Sequence, residues 1–274
     1  MLETLPVFDS ARRPPLVLEE LAQAIRYRDL VKQLIRRDVL TRYKRSVLGV
    51  AWTMLTPLGM MIVLSLAFSG LFAGMRAYPV YVLSGLIAWS FFAQATTAAM
   101  THLTWGGALI HRIYVPRTVF AVASVGTGVV NLVLSLTPFA LVTVITGSPL
   151  RPTALLLPVS ILLLALFTLG VGLLVSTIAV YFPDVVEMYQ IVLLGWMYMT
   201  PIIYPETIVP QAYRWLMIDF NPMYHLVQVF RLPLYNGVWP QPTHLALAAA
   251  IALLTLAIGW AVFTNQADEF SYRI

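Results

Sequence analysis

The chain has 274 residues, of which 59% are hydrophobic and 11% charged, and its mean hydropathy is +0.81. A water-facing domain of this size carries roughly a quarter charged residues, so a soluble globule is excluded and a membrane domain is expected. The absence of cysteine removes disulfides, thiolate metal sites and thiol nucleophiles.

The formal charge of +5 is concentrated at one place: ten of the seventeen Lys and Arg lie within residues 12–45. That clustering marks a cytoplasmic membrane flank, not a nucleic-acid footprint. The chain has only two lysines, Lys32 and Lys44. A phosphate-cradling loop needs a lysine after G-x-x-x-x-G, so nucleotide hydrolysis by that route is excluded.

Residues 1–20 carry four acids (Glu3, Asp9, Glu19, Glu20) and the pair Pro14-Pro15, with no apolar core of a cleavable signal. They read as a short cytoplasmic tail. Residues 21–45 show an amphipathic helical pattern. Val31, Leu34, Ile35 and Val39 recur at helical spacing, and Arg28, Lys32, Arg36 and Arg37 lie largely opposite. This suits a helix in the inner membrane interface with its basic side at anionic lipid headgroups. A topogenic flank without an ordered helix accounts for the charge as well.

Residues 46–274 read as one membrane domain with six apolar spans, because roughly 20 residues cross the hydrocarbon core. The spans are Val47–Phe72, Pro79–Thr101, Pro116–Ile145, Thr153–Tyr181, Val185–Ile203 and Thr243–Phe263. With both termini inside, thirteen basic residues face the cytoplasm and four (Arg76, Arg151, Arg214, Arg231) face outside.

Between spans two and three, Gly106–Arg117 mixes apolar Ile110, Ile113 and Tyr114 with His111, Arg112 and Arg117. It reads either as an ordinary loop or as a docking segment for a cytoplasmic partner. Before span five, Asp184 and Glu187 form an acidic pair. The expected role is helix capping by Asp184 after Pro183, with Glu187 in the first turn, in preference to acid–base or metal chemistry. Along span five, Phe182, Tyr189 and Trp196 recur every seven residues and share a face, with Tyr198 and Tyr204 further on. Such rings suit a sugar pathway, offering apolar faces and hydrogen-bonding edges; core packing explains them equally well.

Residues 204–242 hold six prolines and four charges, and each charge at the bilayer centre costs roughly 2.5–3.5 kcal/mol. A seventh span is therefore unfavourable. Two short helices, Val209–Ile218 and Met223–Leu234, hinged at Asn221-Pro222, fit a re-entrant hairpin better than a plain external loop. No metal-ligand cluster and no catalytic motif such as H-E-x-x-H or G-x-S-x-G is present. Between Ser46 and Asp184 the only charged residues are Arg76, Arg112, Arg117 and Arg151, all at expected loops, which argues against ion-coupled transport.

Several short motifs then combine. Asp38, Tyr43, Ser46, Leu48-Gly49 and Trp52 lead to Pro57, followed by Tyr181-Phe182-Pro183-Asp184-Val185, Thr200-Pro201-Ile202-Ile203-Tyr204 and Asn221-Pro222-Met223. With this set the chain, from about residue 26 onward, resembles the membrane subunits of ABC exporters of lipid-linked polysaccharides, the O-antigen, capsule and teichoic-acid permeases. Pro183 departs from that pattern, since many members carry arginine there.

The resemblance implies an all-α permease of the bacterial plasma membrane, working as a homodimer on an undecaprenyl-linked glycan. Two copies of a separate ATPase subunit would bind ATP and Mg, leaving this chain with no cofactor and no catalytic residue. Ile110, His111, Arg112, Ile113, Tyr114 and Arg117 would couple to the ATPase. Trp52, Phe182, Tyr189, Trp196 and Tyr198 would line the pathway. Tyr204, Trp215, Asn221 and Pro222 would form the outer gate. A drug or lipid exporter of the same class is the alternative. An integral-membrane glycosyl- or acyl-transferase is disfavoured by the sparse acids, and a passive channel would need no ATPase.

Overall fold

Apolar segments in a bilayer must satisfy their backbone groups internally, and the described residues do so mainly with helices. The computed structural model describes residues 16–43, 49, 51–105, 116–148 and 151–266. Among them are nine α-helices and no strand: α1 Leu16–Arg26, α2 Arg28–Tyr43, α3 Ala51–Phe68, α4 Tyr78–Trp105, α5 Thr118–Ile145, α6 Leu157–Tyr181, α7 Val185–Met199, α8 Pro222–Arg231 and α9 Pro242–Gln266. Helices α3, α4, α5, α9 and α6 with its leading 3-10 turn are long and apolar enough to cross a membrane.

The remaining apolar helix, α7, has 15 residues, about 22 Å of rise against a ~30 Å hydrocarbon core. It was expected to run on to Ile203. It stops at Met199 because Pro201 has no N–H to continue the ladder, and Thr200–Tyr204 is unwound. The first span is also shorter than expected, its helix occupying Ala51–Phe68.

The amino-terminal helix differs from its expected bounds. It begins at Leu16, directly after Pro14-Pro15, and is divided at Tyr27 into α1 and α2. The division is slight, since Tyr27 N–H still donates to Gln23 O (2.9 Å) and Val31 N–H to Tyr27 O (3.0 Å). Leu34 is buried with Leu103, Val119, Phe120, Trp260 and Phe263, so the pair lies across one end of the bundle. Gly126 admits this approach, because a Cβ there would sit 2.5 Å from Ile35 Cδ1. Arg28, Lys32, Arg36 and Arg37 are exposed on the other side.

The opposite end gathers the loops around Arg76 and Arg151 and the segment after α8. Tyr235 Oη donates to Arg76 O (2.7 Å), Arg151 Nη1 to Asn236 O (3.3 Å) and Thr153 Oγ1 to Pro233 O (2.8 Å). Gly237 turns the chain at φ 63° under the Arg151 side chain.

Helix α4 is the axis of the bundle. In its most apolar window 72% of residues are buried, against 11% for α3, which lies at the edge. Helices α6 and α9 cross in backbone contact. A Cβ on Gly170 would stand 2.5 Å from Thr255 O and 2.6 Å from Leu256 N, and one on Gly259 would meet the Gly170 backbone. Small residues let backbones approach where lipid offers no hydrophobic drive between helices. Gly170→Ala is expected to cost about 1–3 kcal/mol of overpacking, since backbone cannot step aside as a side chain can. Gly59→Ala, whose Cβ meets nothing within 4 Å, is expected to leave the thermal midpoint in detergent unchanged.

Candidate functional site

The unwinding after α7 creates the site. A helix end leaves carbonyls without N–H partners, and at membrane depth water does not replace them. Here side chains from two other helices take every carbonyl from Pro201 to Tyr204. Tyr81 Oη of α4 donates to Pro201 O (3.2 Å) and Tyr204 O (2.9 Å). Tyr78 Oη donates to Ile203 O (2.8 Å). Arg231, the last residue of α8, donates through Nη1 to Pro201 O (2.8 Å) and Nη2 to Ile202 O (3.1 Å).

Arg231 is 1% exposed. Its Nε donates to Ser84 Oγ (3.3 Å), and its guanidinium lies 3.9 Å from the centre of the Tyr81 ring. Arg231, counted from the sequence among the outward-facing charges and placed in the short helix Met223–Leu234, is thus enclosed by protein. It is a buried cation whose fork fits two successive carbonyls and whose face covers an aromatic ring. Gly85 makes room for it, since a Cβ there would intrude on Nη2.

A second knot lies beside the first. Asn221 precedes Pro222 at the start of α8, and its Oδ1 accepts from Met223 N (3.1 Å) and Tyr224 N (3.4 Å). The same oxygen accepts from Trp196 Nε1 of α7 (2.9 Å), while Nδ2 donates to Thr200 Oγ1 (2.9 Å) and Met217 O (3.2 Å). Asparagine is a favoured helix cap and proline a favoured first helical residue, so the hinge placed there from sequence stands as a capped helix start. The preceding helix expected at Val209–Ile218 is absent. Residues 206–208 and 211–213 form 3-10 turns and 215–219 a π turn, because Pro205 and Pro210 interrupt any longer ladder. Helix α8 reaches Arg231 and passes into a π turn holding Pro233. Tyr224 Oη donates to the Glu206 carboxylate. Burial first, then that bond, push the Tyr224 phenol above the usual tyrosine range.

The aromatic face of α7 turns inward. Tyr189 is buried and its Oη donates to Thr96 Oγ1 (2.9 Å). Trp196 meets Phe92 and Trp89 edge-on at centroid distances of 5.2 and 6.0 Å. These rings pack within the chain, so the expectation that they line an open pathway is not met within one copy. Phe182 precedes α7 in extended backbone and is exposed, as are Trp52 and Tyr198. Tyr204 Oη donates to Tyr198 O (2.6 Å), and Trp215 is exposed with its ring edge-on to Phe220. Asp184 stands before α7 but makes no side-chain capping bond, its backbone already being helical (φ −63°, ψ −18°); Glu187 is in the first turn as expected.

Arg117 is buried at the start of α5. Ile110, His111, Arg112, Ile113 and Tyr114 lie outside the described residues. Among the described residues no three His, Asp or Glu side chains converge.

Sequence reasoning missed Tyr78, Tyr81, Ser84 and Arg231. The available signal was one arginine in the apolar run Val227–Leu234 with no acid beside it, and two tyrosines three apart at the head of α4.

Comparison with known proteins gives the chain its kin. Residues 29–235 match the model of the ABC-2 type transporter family. An O-antigen export system permease protein, RfbA, of Myxococcus xanthus is 28% identical over 250 residues, covering 90% of this chain and 96% of the relative. The protein of the same name from Klebsiella pneumoniae is 22% identical over 89% of this chain and 94% of its own length. The polysialic acid transport protein KpsM of Escherichia coli is 26% identical over 87% and 93%. The chain belongs to the ABC-2 type transporter family of membrane proteins.

Proposed function

We propose that the chain is the permease subunit of an ATP-driven exporter that carries a lipid-linked polysaccharide, an undecaprenyl-linked glycan, across the bacterial plasma membrane. One observation carries this reading. The chain is similar over 93–96% of their length to relatives named as permeases of O-antigen export and as a transporter of polysialic acid. The lack of any lysine after Lys44 fits a conduit powered by a separate ATPase that binds ATP and Mg.

In this reading the chain crosses the membrane six times, with α7 and the unwound Thr200–Tyr204 together making the fifth crossing, and both termini are cytoplasmic. Residues 205–235 form the re-entrant outer gate. Two copies pair around the path, and two ATPase subunits dock at residues 106–117. The poorly covered apolar surfaces of α3 and α7, such as Leu66 (78% exposed) and Ile191 (73% exposed), support their facing a second copy or the path. The knots at Arg231 and Asn221 support a gate that moves as one piece, since both tie α8 to the end of α7.

The test is reconstitution in vesicles with the partner ATPase. ATP is expected to drive lipid-linked glycan to the far leaflet only when both proteins are present. ATP hydrolysis by the chain alone, or uphill glycan movement without the ATPase, would overturn the reading.

A further inference from the structure

Helix α4 carries a line of uncharged polar side chains: Ser90, Gln94, Thr97 and Thr101. Their spacings of four, three and four residues place them on one helical face, about 16 Å from end to end. This face breaks the pattern of its helix. In the most enclosed helix of the bundle, Gln94 is exposed, and Ser90, Thr97 and Thr101 are half-buried.

Two hollows follow the line. A narrow cavity of about 20 Å³ is lined by Ser90, Gln94, Thr53 of α3, and Asn131 and Ser135 of α5. A wider cleft of about 380 Å³ is lined by Gln94, Thr97, Thr101, His102 and Gln190 of α7. Gln94 belongs to both. Neither hollow is lined by a charged residue among those described.

Gln94 and the side-chain oxygen of Asn131 lack hydrogen-bond partners among the described residues. No hydrogen bond from Gln94 to another described residue is present, and Asn131 Oδ1 is shut from solvent with nothing bound to it. An unpaired amide away from water costs about 1–3 kcal/mol by mutational measures. Gln190 Nε2 of α7 reaches across to donate to Thr97 Oγ1 (3.2 Å), and Thr101 Oγ1 bonds back to its own helix at Thr97 O (3.0 Å). Lipid tails offer an amide nothing. A polyhydroxylated chain offers both donors and acceptors.

We infer that the Ser90–Gln94–Thr97–Thr101 face of α4, with Gln190 opposite, is a contact track for the hydroxyl groups of a passing glycan. The inference rests on the export reading above and names where in the chain the sugar is touched. Uncharged groups suit the task, because conduction needs many weak contacts and no deep trap. The track runs from His102, near the α2 end of the bundle, toward Ser84 and the Arg231 knot. It also supplies what the α7 rings do not, since Tyr189 and Trp196 are committed to packing.

The test uses the full chain in cells that make the glycan and the partner ATPase but lack the native copy. The wild-type chain is expected to restore surface glycan; failure here sinks the export reading itself, and the track with it. Gln94→Leu with Gln190→Leu keeps side-chain volume but removes both amides. It is expected to lower surface glycan about tenfold, the scale of one lost hydrogen bond or two, with membrane level and ATPase co-purification unchanged. Ser176→Ala, which lines neither hollow, is expected to export as wild type. Because the chain has no cysteine, Thr97→Cys gives a single thiol. Its labelling by a water-soluble maleimide is expected to fall when glycan synthesis is switched on. The track is overturned by wild-type export from the double variant or by labelling indifferent to glycan. It is equally overturned if the double variant loses self-association, which would assign the stripe to the contact between copies.

Discussion

Arg231→Leu is expected to destabilise the protein by about 2–5 kcal/mol, the range for leaving two or so buried polar groups without partners. The variant leaves Pro201 O without its strongest donor and Ile202 O and Ser84 Oγ without the partners Arg231 supplied. Each orphaned buried group costs about 1–3 kcal/mol. Arg231→Lys keeps the charge but is expected to recover only part of the loss, since one ammonium cannot span two successive carbonyls while covering the Tyr81 ring. The measurement is thermal unfolding in detergent together with proteolysis near residues 200–204. A cycle with Gly85→Ala sharpens it. In the wild-type background the added methyl pushes on the guanidinium; in the Arg231→Leu background that clash is gone. The two costs are therefore expected to be strongly non-additive. An Arg231→Leu protein with unchanged midpoint and unchanged protease resistance would show that the clamp does not hold the unwound segment.

The Arg231 result bears on how much of this molecule can be read from its residues. The existence and order of the long helices were legible, because an apolar run near 20 residues has few physical outcomes, though α3 and α7 are shorter than their apolar runs. So was the hinge at Asn221-Pro222, where a capping side chain and a fixed φ coincide. Other features were not. Charge counting treats every arginine as a flank, so Arg231 read as an external charge. Its burial depends on acceptors exposed some thirty residues earlier, by the break at Pro201. The apolar pattern ran smoothly through Thr200–Tyr204 and hid that break. The seven-residue recurrence of rings on α7 correctly placed Tyr189 and Trp196 on one face. Periodicity does not say which face turns inward. That was decided by α4, where Thr96 accepts from Tyr189 and Phe92 and Trp89 receive Trp196. The polar face of α4 was overlooked for a related reason: threonine and serine can bond back to their own helix, so only the exposed Gln94 and the hollows beside it distinguish a track from filler.

Asn221→Ala is expected to cost about 2–4 kcal/mol, combining the loss of a helix cap, about 1 kcal/mol, with orphaned donors in a buried setting at about 1–3 kcal/mol. The side chain holds three elements together: the start of α8, Trp196 on α7, and Thr200 in the unwound segment. Its removal is expected to loosen α8 from α7 even where each helix persists, so export should fall more than the change in unfolding midpoint alone explains. Asn221→Ser separates the two roles. Serine still caps the helix, but it is too short to reach both Trp196 Nε1 and Thr200 Oγ1. It is expected to restore most of the midpoint and little of the export. Trp196→Phe supplies the matching half of a cycle, because it deletes the same indole bond from the other side. If the bond joins α8 to α7, the double variant should be scarcely worse than either single one. Fully additive effects would instead mean that Asn221 acts only as a local cap, and that α8 is held to the unwound segment through Arg231 alone.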